Sequence, residues 1–196
     1  MMRLLPIALL LSVTAAGCSG GDTTAVPRPE AFPRIELPVP DYSAPDSLPV
    51  SFEVNRADTR VECRTADNGA VWLTVDYPRH GAAIYLTFSA AGIDEAADIA
   101  ANRYERLTRD IRGAMGRVDA LTASADTFTL YATEAAVPTP AAAILVMPAP
   151  QGRMVVSGTV SLTDKAFVER PDSMDVVRDY IMEDFWHGFK SAQPWK

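Results

Sequence analysis

WLTVDYPRHGAAIYLTFS, residues 72–89, reads as two alternating strands joined by a tight turn. Leu73, Val75 and Tyr77 point one way and Trp72, Thr74 and Asp76 the other, the two-residue period of a half-buried strand. Ile84, Leu86 and Phe88 repeat that apolar face, opposite Ala83, Tyr85 and Thr87, and the β-branched and aromatic content suits a pleated surface. Between the runs, Pro78 pre-sets φ and Gly81 is free to take φ > 0, so Pro78, Arg79, His80 and Gly81 form a hairpin loop.

Toward the N-terminus, Asp67, Asn68 and Gly69 signal a turn, and residues 50–55 alternate with Val50, Phe52 and Val54 on one face. Residues 60–64 are expected to pair with that segment across Arg56 to Thr59 as an earlier hairpin. Seven of the 15 prolines lie between positions 27 and 49, which predicts an extended arm rather than a helix. Phe32, Ile35 and Leu37 could dock it on the body, with Arg34 and Glu36 outward.

Toward the C-terminus the period changes. Ile93, Ala97, Ala100, Tyr104, Leu107 and Ile111 form one helical stripe over residues 93–112, with Asp94 at its start, Gly113 at its end, and the pairs Glu105 with Arg109 and Arg106 with Asp110 along it. Residues 127–133, 141–147 and 153–162 read as three strands separated by proline-rich turns. The middle one is continuously apolar and so covered on both faces, and the last turns Met154, Val156, Val160 and Leu162 inward. After Pro171, Asp172 and Asp175 resemble a capping box. Met174, Val177, Ile181 and Phe185 then mark a second long helix, widened by Val176 and Tyr180 and ended by Gly188. The order predicts a single α+β domain, a mostly antiparallel sheet with two long helices packed on it. Seen this broadly it resembles the PsbP/Mog1-type sandwich.

The chain of 196 residues, 48% hydrophobic and 22% charged, suits one domain with a real core. Its formal charge of −7 argues against a nucleic-acid partner, which calls for a basic face. Residues 1–17 are a signal peptide: a positive start with Arg3, an apolar run too short to span a bilayer, then small residues. Ala15, Ala16, Gly17 and Cys18 resemble a bacterial lipobox, which makes Cys18 the expected lipidation site and the membrane a partner through the lipid anchor. Processing there leaves 17 basic against 25 acidic side chains. The expected organisation is a signal peptide over 1–17, a lipidated cysteine and flexible tether over 18–26, a docked proline-rich arm over 27–49, and the α+β domain over 50–196. Lipidation of Cys18 leaves Cys63 as an unpaired thiol, expected to be a small semi-buried strand residue.

No catalytic set is visible. His80 in the hairpin loop and His187 near the last helix end are the two histidines, without a partner at metal-ligand spacing, and no metal or cofactor is expected. No G-x-S-x-G elbow or phosphate-binding loop occurs, and Ser157 before Gly158 reads as outward on its strand. Gly113 to Gly116 has the spacing of a GXXG clamp but fits helix termination better. Arg103, Arg106, Arg109 and Arg112 drift around their helix and read as a solvated face, as do Asp94 with Glu95 and Glu183 with Asp184. Two features remain as candidates: the loop residues Arg79 and His80 as an interaction loop, and Trp72 with Tyr85 as an aromatic surface. For the latter a covering helix is the expectation, since large aromatics are usually buried.

In order behind the lipobox, the segments PRPEAFPRIELP, SFEV, WLTVDYP and AAIYLTF resemble the gliding-motility lipoprotein GldD family of Bacteroidota; ATEAAVPTPAAAILV, GTVSL and the terminal Trp195 and Lys196 follow its pattern more loosely. Relatives commonly carry cysteines near the SFE segment and just before the tryptophan, where this chain has Leu48 and Val71. The resemblance implies a noncatalytic, lipid-anchored accessory of the gliding machinery and the linked type IX secretion system, partnered with other envelope proteins. Only Asp22 lies behind Cys18 where a surface-export signal would be acidic, so the body is expected to face the periplasm, on the outer membrane. Alternative readings are a small-ligand or lipid-binding periplasmic module and a hydrolase with a nonlocal site.

Overall fold

The structure, a computed structural model, describes residues 35–115, 120–123, 127–131 and 139–195. The signal peptide, Cys18, the tether, Phe32 and Arg34 lie outside the described residues. The elements run β1 (Tyr42–Ser43), β2 (Val54–Asn55), β3 (Arg60–Thr65), β4 (Val71–Tyr77), β5 (Ala82–Ala91), α1 (Ile93–Met115), β6 (Ala120–Ala123), β7 (Thr127–Tyr131), β8 (Ala141–Ala149), β9 (Gly152–Leu162), α2 (Ala166–Glu169) and α3 (Pro171–Ser191).

Among the described residues seven strands form one sheet in the order β3-β4-β5-β9-β8-β7-β6, every neighbouring pair antiparallel. The predicted α+β architecture of an antiparallel sheet with two long helices is therefore present. The opening stretch is its middle: β4 and β5 pair from Val71↔Phe88 to Tyr77↔Ala82, with Gly81 at φ +54° in the turn. Strict alternation sends Leu73, Val75, Tyr77, Ile84, Leu86 and Phe88 to one face, where Val156, Val160 and Leu162 of β9 and Val177, Ile181 and Phe185 of α3 complete the main core. A smaller core fills the other face, where Ala96 and Ala100 of α1 meet Ile144, Val146 and Val155. The apolar run of β8 is accordingly covered on both sides.

Several expectations need correction. Residues 50–55 do not pair with 60–64. Asn55 and Val54 pair with Tyr42 and Ser43 of the arm, Ser51 exchanges backbone hydrogen bonds with Gln193 at 2.9 and 3.0 Å, and β3 pairs with β4. Alternation reports which side chains face inward, and Val50, Phe52 and Val54 do; it does not name the neighbour that takes the backbone hydrogen bonds. In the described part of the arm, Ile35 and Leu37 pack against the core and Glu36 is exposed. Strand β6, a short alanine-rich run, carried no alternation to announce it.

The predicted stripes hold on both helices, Ala100, Tyr104 and Leu107 on α1 and Val177, Ile181 and Phe185 on α3, with exceptions at Ile93, Ala97 and Val176. On α1 the sheet-facing residues are Ala96, Ala100, Tyr104 and Leu107, while Ile93 is 69% exposed. Helix α1 runs past Gly113 to Met115, and Gly116 lies outside the described residues. On α3, Val176 is exposed, the helix starts at Pro171 behind Arg170 without a side-chain cap, and it continues past Gly188 to Ser191. Gly188 serves close approach instead: a Cβ there would sit 2.4 Å from the Phe52 ring. Asp184, read as surface, is only 4% exposed.

Candidate functional site

Helix α1 covers β8 and β9 but leaves the β4–β5 half of its face of the sheet open, and antiparallel sheets can hold one face to water. On that open half Trp72 faces Thr87 and Tyr85 lies one pleat away, opposite Thr74 and Thr159. Diagonal neighbours in such a ladder are about 7–8 Å apart, within reach of aromatic rings. Trp72 is 52% and Tyr85 48% exposed, so no helix among the described residues covers them as expected. The helix was drawn instead to the alanine-rich and β-branched strip of β8 and β9, where its small side chains allow close packing.

Where α1 borders this open half it lays Arg103 across the strands. The Arg103 guanidinium donates to Ser89 Oγ at 2.7 Å and Ser157 Oγ at 3.0 Å, with the Val155 carbonyl at 3.5 Å. Ser157 thus points outward, as its place in the alternation predicts. Arg103 does not belong to a solvated face; burial, with the neighbouring charge of Arg106, pulls its affinity for protons below that of an ordinary guanidinium. Arg106 is exposed, and Arg109 pairs with Glu105 at 3.1 Å as expected. The side chains of Asp110, the partner expected for Arg106, and of Arg112 lie outside what is described. A groove of about 370 Å³ follows the line between α1, β5 and β9, bordered by Tyr85, Thr87, Arg103, Arg106, Ser157 and Thr159.

The hairpin tip is a separate place. Arg79 pairs with Asp58 at 3.0 Å with both side chains largely exposed, a contact worth a few tenths of a kcal/mol to about 1. His80 closes the turn through its backbone N–H to the Tyr77 carbonyl at 2.9 Å. Partial burial and the adjacent Arg79 charge lower the imidazole pKa, against a smaller opposing pull from Asp58. With Trp72 near one end of β4 and the loop beyond the other, about 3.3 Å per residue separates the two candidate features by roughly 17 Å or more.

A third cluster was not anticipated. Asp184 of α3 accepts from Tyr42 Oη at 2.6 Å on one carboxylate oxygen, and from Tyr77 Oη and Asn55 Nδ2, both at 2.8 Å, on the other. Asn55 Nδ2 also donates to Tyr180 Oη at 2.7 Å, while its Oδ1 accepts from the Asp41 and Ala57 amides. One buried side chain therefore ties together the arm, the central strand β4 and the closing helix. Burial first, and then the Asp184 carboxylate, raise the Tyr42 and Tyr77 pKa values well above the ordinary phenol; burial also raises that of Tyr180. The signal for this cluster was the position of Asp184 itself: Val177, Tyr180, Ile181, Asp184 and Phe185 follow the three-and-four spacing of one helical face.

His187 stands beside this cluster. Its ring stacks on Tyr42 with centroids 3.6 Å apart, and Nε2 lies 2.7 Å from Glu53 Oε2. Near the end of α3, His187 thus has a carboxylate partner. Ser191, four residues on, donates its hydroxyl to the Gly188 carbonyl at 2.9 Å and accepts from the Glu53 amide at 3.0 Å. Its proton is committed to the helix backbone rather than aimed at the imidazole, so these residues do not compose a nucleophile and base. Cys63 is a half-buried free thiol on β3. Among the described residues no group of histidine, cysteine and carboxylate side chains is clustered to hold a metal, and no helix is long and apolar enough to cross a membrane.

Residues 22–114 match the family model described as gliding motility lipoprotein GldD, a stretch that takes in the arm, β1 to β5 and most of α1. The segments from Pro27 to Phe88 that most closely carried the resemblance fall inside it, and the looser ones after residue 130 lie outside it. No curated protein and no solved structure matches the chain.

Proposed function

We propose, from the premise that residues 22–114 belong to the gliding motility lipoprotein GldD family, that this protein is a noncatalytic accessory of the gliding machinery and the type IX secretion system linked to it. It is held at the outer membrane by lipid on Cys18, with its body facing the periplasm. The family match carries this reading: a gliding-motility lipoprotein family brings association with motility and attachment to a membrane. The noncatalytic role is supported by the commitments of the two histidines. His187 is engaged by Glu53 and stacked on Tyr42, while His80 sits in a turn with Arg79 and Asp58 nearby. Placement on the periplasmic side is supported by the segment SGGDTT behind Cys18, which holds Asp22 as its single acid.

In a strain lacking the gene, surface spreading and type IX secretion are expected to fall together. The wild-type chain and a His80→Ala, His187→Ala double variant, at equal protein level, restore both. A Cys18→Ala variant restores neither. Failure of the double variant alone would point to histidine chemistry and overturn the noncatalytic role. A second reading, a ligand-binding module, is favoured by one observation, the exposure of Trp72 and Tyr85 on the open face.

A further inference from the structure

We propose that the groove between α1 and strands β5 and β9 binds an anionic sugar, a pyranose ring carrying a phosphate or carboxylate. The charge balance of the groove points there. Arg103 and Arg106 both line it, and none of its described lining residues is acidic, in a chain whose formal charge is −7. Among the described residues the Arg103 guanidinium is held between strands by hydroxyl and carbonyl acceptors alone, so its charge has hydrogen bonds there but no counter-ion. Arg106 makes no hydrogen bond or ion pair among the described residues and is exposed at the rim. Two adjacent cations in this state repel one another, which is the cause that joins burial in lowering the Arg103 pKa. An anion seated between them removes that repulsion and gains charge-assisted hydrogen bonds from planar, fixed donors. Arg103 and Arg106 also border a larger cavity of about 820 Å³ on their other side, where the acids are Glu95 and Glu105, the latter engaged by Arg109.

The rest of the lining selects the body that bears the charge. Thr87 and Ser157 are direct cross-strand partners, as are Tyr85 and Thr159. This sets hydroxyls in adjoining rows of a ladder whose facing residues are about 4.5–5.5 Å apart, each hydroxyl able to donate and accept. Such a surface matches the ring hydroxyls of a sugar. A half-exposed Tyr85 supplies a flat apolar wall for a ring face, with Trp72 diagonal to it as an outer extension. An acyl chain would need a continuous aliphatic trough, and Leu107 is the one aliphatic side chain larger than alanine in the described lining. A volume of about 370 Å³ lies at the small end of ligand sites, suited to one ring and its substituents.

This deepens the ligand-binding reading and stands on the groove alone, so its failure would leave the accessory role, tested in the deletion strain, untouched. The test titrates the full chain in detergent micelles with glucose 6-phosphate, glucuronate, glucose and inorganic phosphate. Calorimetry gives affinity, and nitrogen-15 NMR follows the Trp72 indole and the Tyr85 amide. At least one anionic sugar is expected to bind with a Kd of about 0.1–1 mM and to shift both signals, with glucose and phosphate at least about tenfold weaker. Arg106→Gln, at an exposed position, should weaken binding about tenfold with the melting temperature unchanged, and Tyr85→Ala by about fivefold. Lack of binding by both anionic sugars at about 10 mM would overturn the proposal. So would phosphate binding as tightly as glucose 6-phosphate, full affinity retained in both variants, or binding to phosphatidylglycerol vesicles with none to the sugars.

Discussion

Asp184→Ala is expected to destabilise the protein by about 3–5 kcal/mol, because it leaves three inward-directed donors without an acceptor. Tyr77 is 1% and Asn55 1% exposed, so neither can turn to water, and each unsatisfied buried donor costs about 1–3 kcal/mol. The loss is not local, since the same carboxylate fixes Tyr42 of the arm, Tyr77 of the central strand and Tyr180 through Asn55. Urea unfolding measures it. A change below about 1 kcal/mol would mean that the cluster contributes nothing the helix packing does not already supply. Tyr77→Phe, which removes one donor and keeps the ring, should cost about 1–2 kcal/mol in the same assay.

The network also sets a pH limit. Tyr42, Tyr77 and Tyr180 have pKa values raised by burial in the folded state, so the unfolded chain releases phenolic protons at a lower pH than the native one does. Their contribution is complete below about pH 10, the ordinary tyrosine value, and falls as pH rises above it toward the folded values. Melting temperature should decline above about pH 10 while native phenolate absorbance from these three residues stays absent until unfolding.

Phe185→Ala should have an effect of similar size, about 3–5 kcal/mol, by a different physical route. The ring is 1% exposed, lies 4.7 Å from Trp186 and 5.0 Å from Phe189 by centroids, and rests over Gly158 of β9, where any Cβ would come within 3.1 Å of it. Phe52 bridges from the same cluster to Phe88 of the sheet, with an edge-on geometry at 5.4 Å. Truncation removes the transfer free energy of the ring and leaves a cavity that rigid aromatic neighbours cannot collapse into. A loss under about 1.5 kcal/mol would show that α3 repacks freely against the sheet.

The two side chains teach different lessons about what the sequence makes legible. Phe185 was readable: it sits on the periodic stripe with Val177 and Ile181, and all three are buried. Asp184 shares that face by the same spacing, yet its charge and its neighbour Glu183 suggested solvent. Its burial depends on hydroxyls and an amide more than 100 residues away, which no local pattern reveals. The hairpin of residues 72–89 was fully legible because turn chemistry and alternation act over a few residues. Pairing of residues 50–55 was not, because the arm and Gln193 competed for the same backbone groups. Among candidate sites, the aromatic pair could be placed on one face from the period alone. Whether a helix covered it depended on how α1 packed, and Arg103 joined that surface because α1 lies beside Ser89 and Ser157.

The proposed role requires this chain to work as an attached member of an envelope assembly. Mild crosslinking of whole cells, followed by recovery of the tagged full-length chain and identification of what accompanies it, tests that claim most directly. The expected result is specific co-recovery of motility or secretion components, lost in the Cys18→Ala strain. Recovery of the chain alone, from cells that glide and secrete normally without it, would contradict the account.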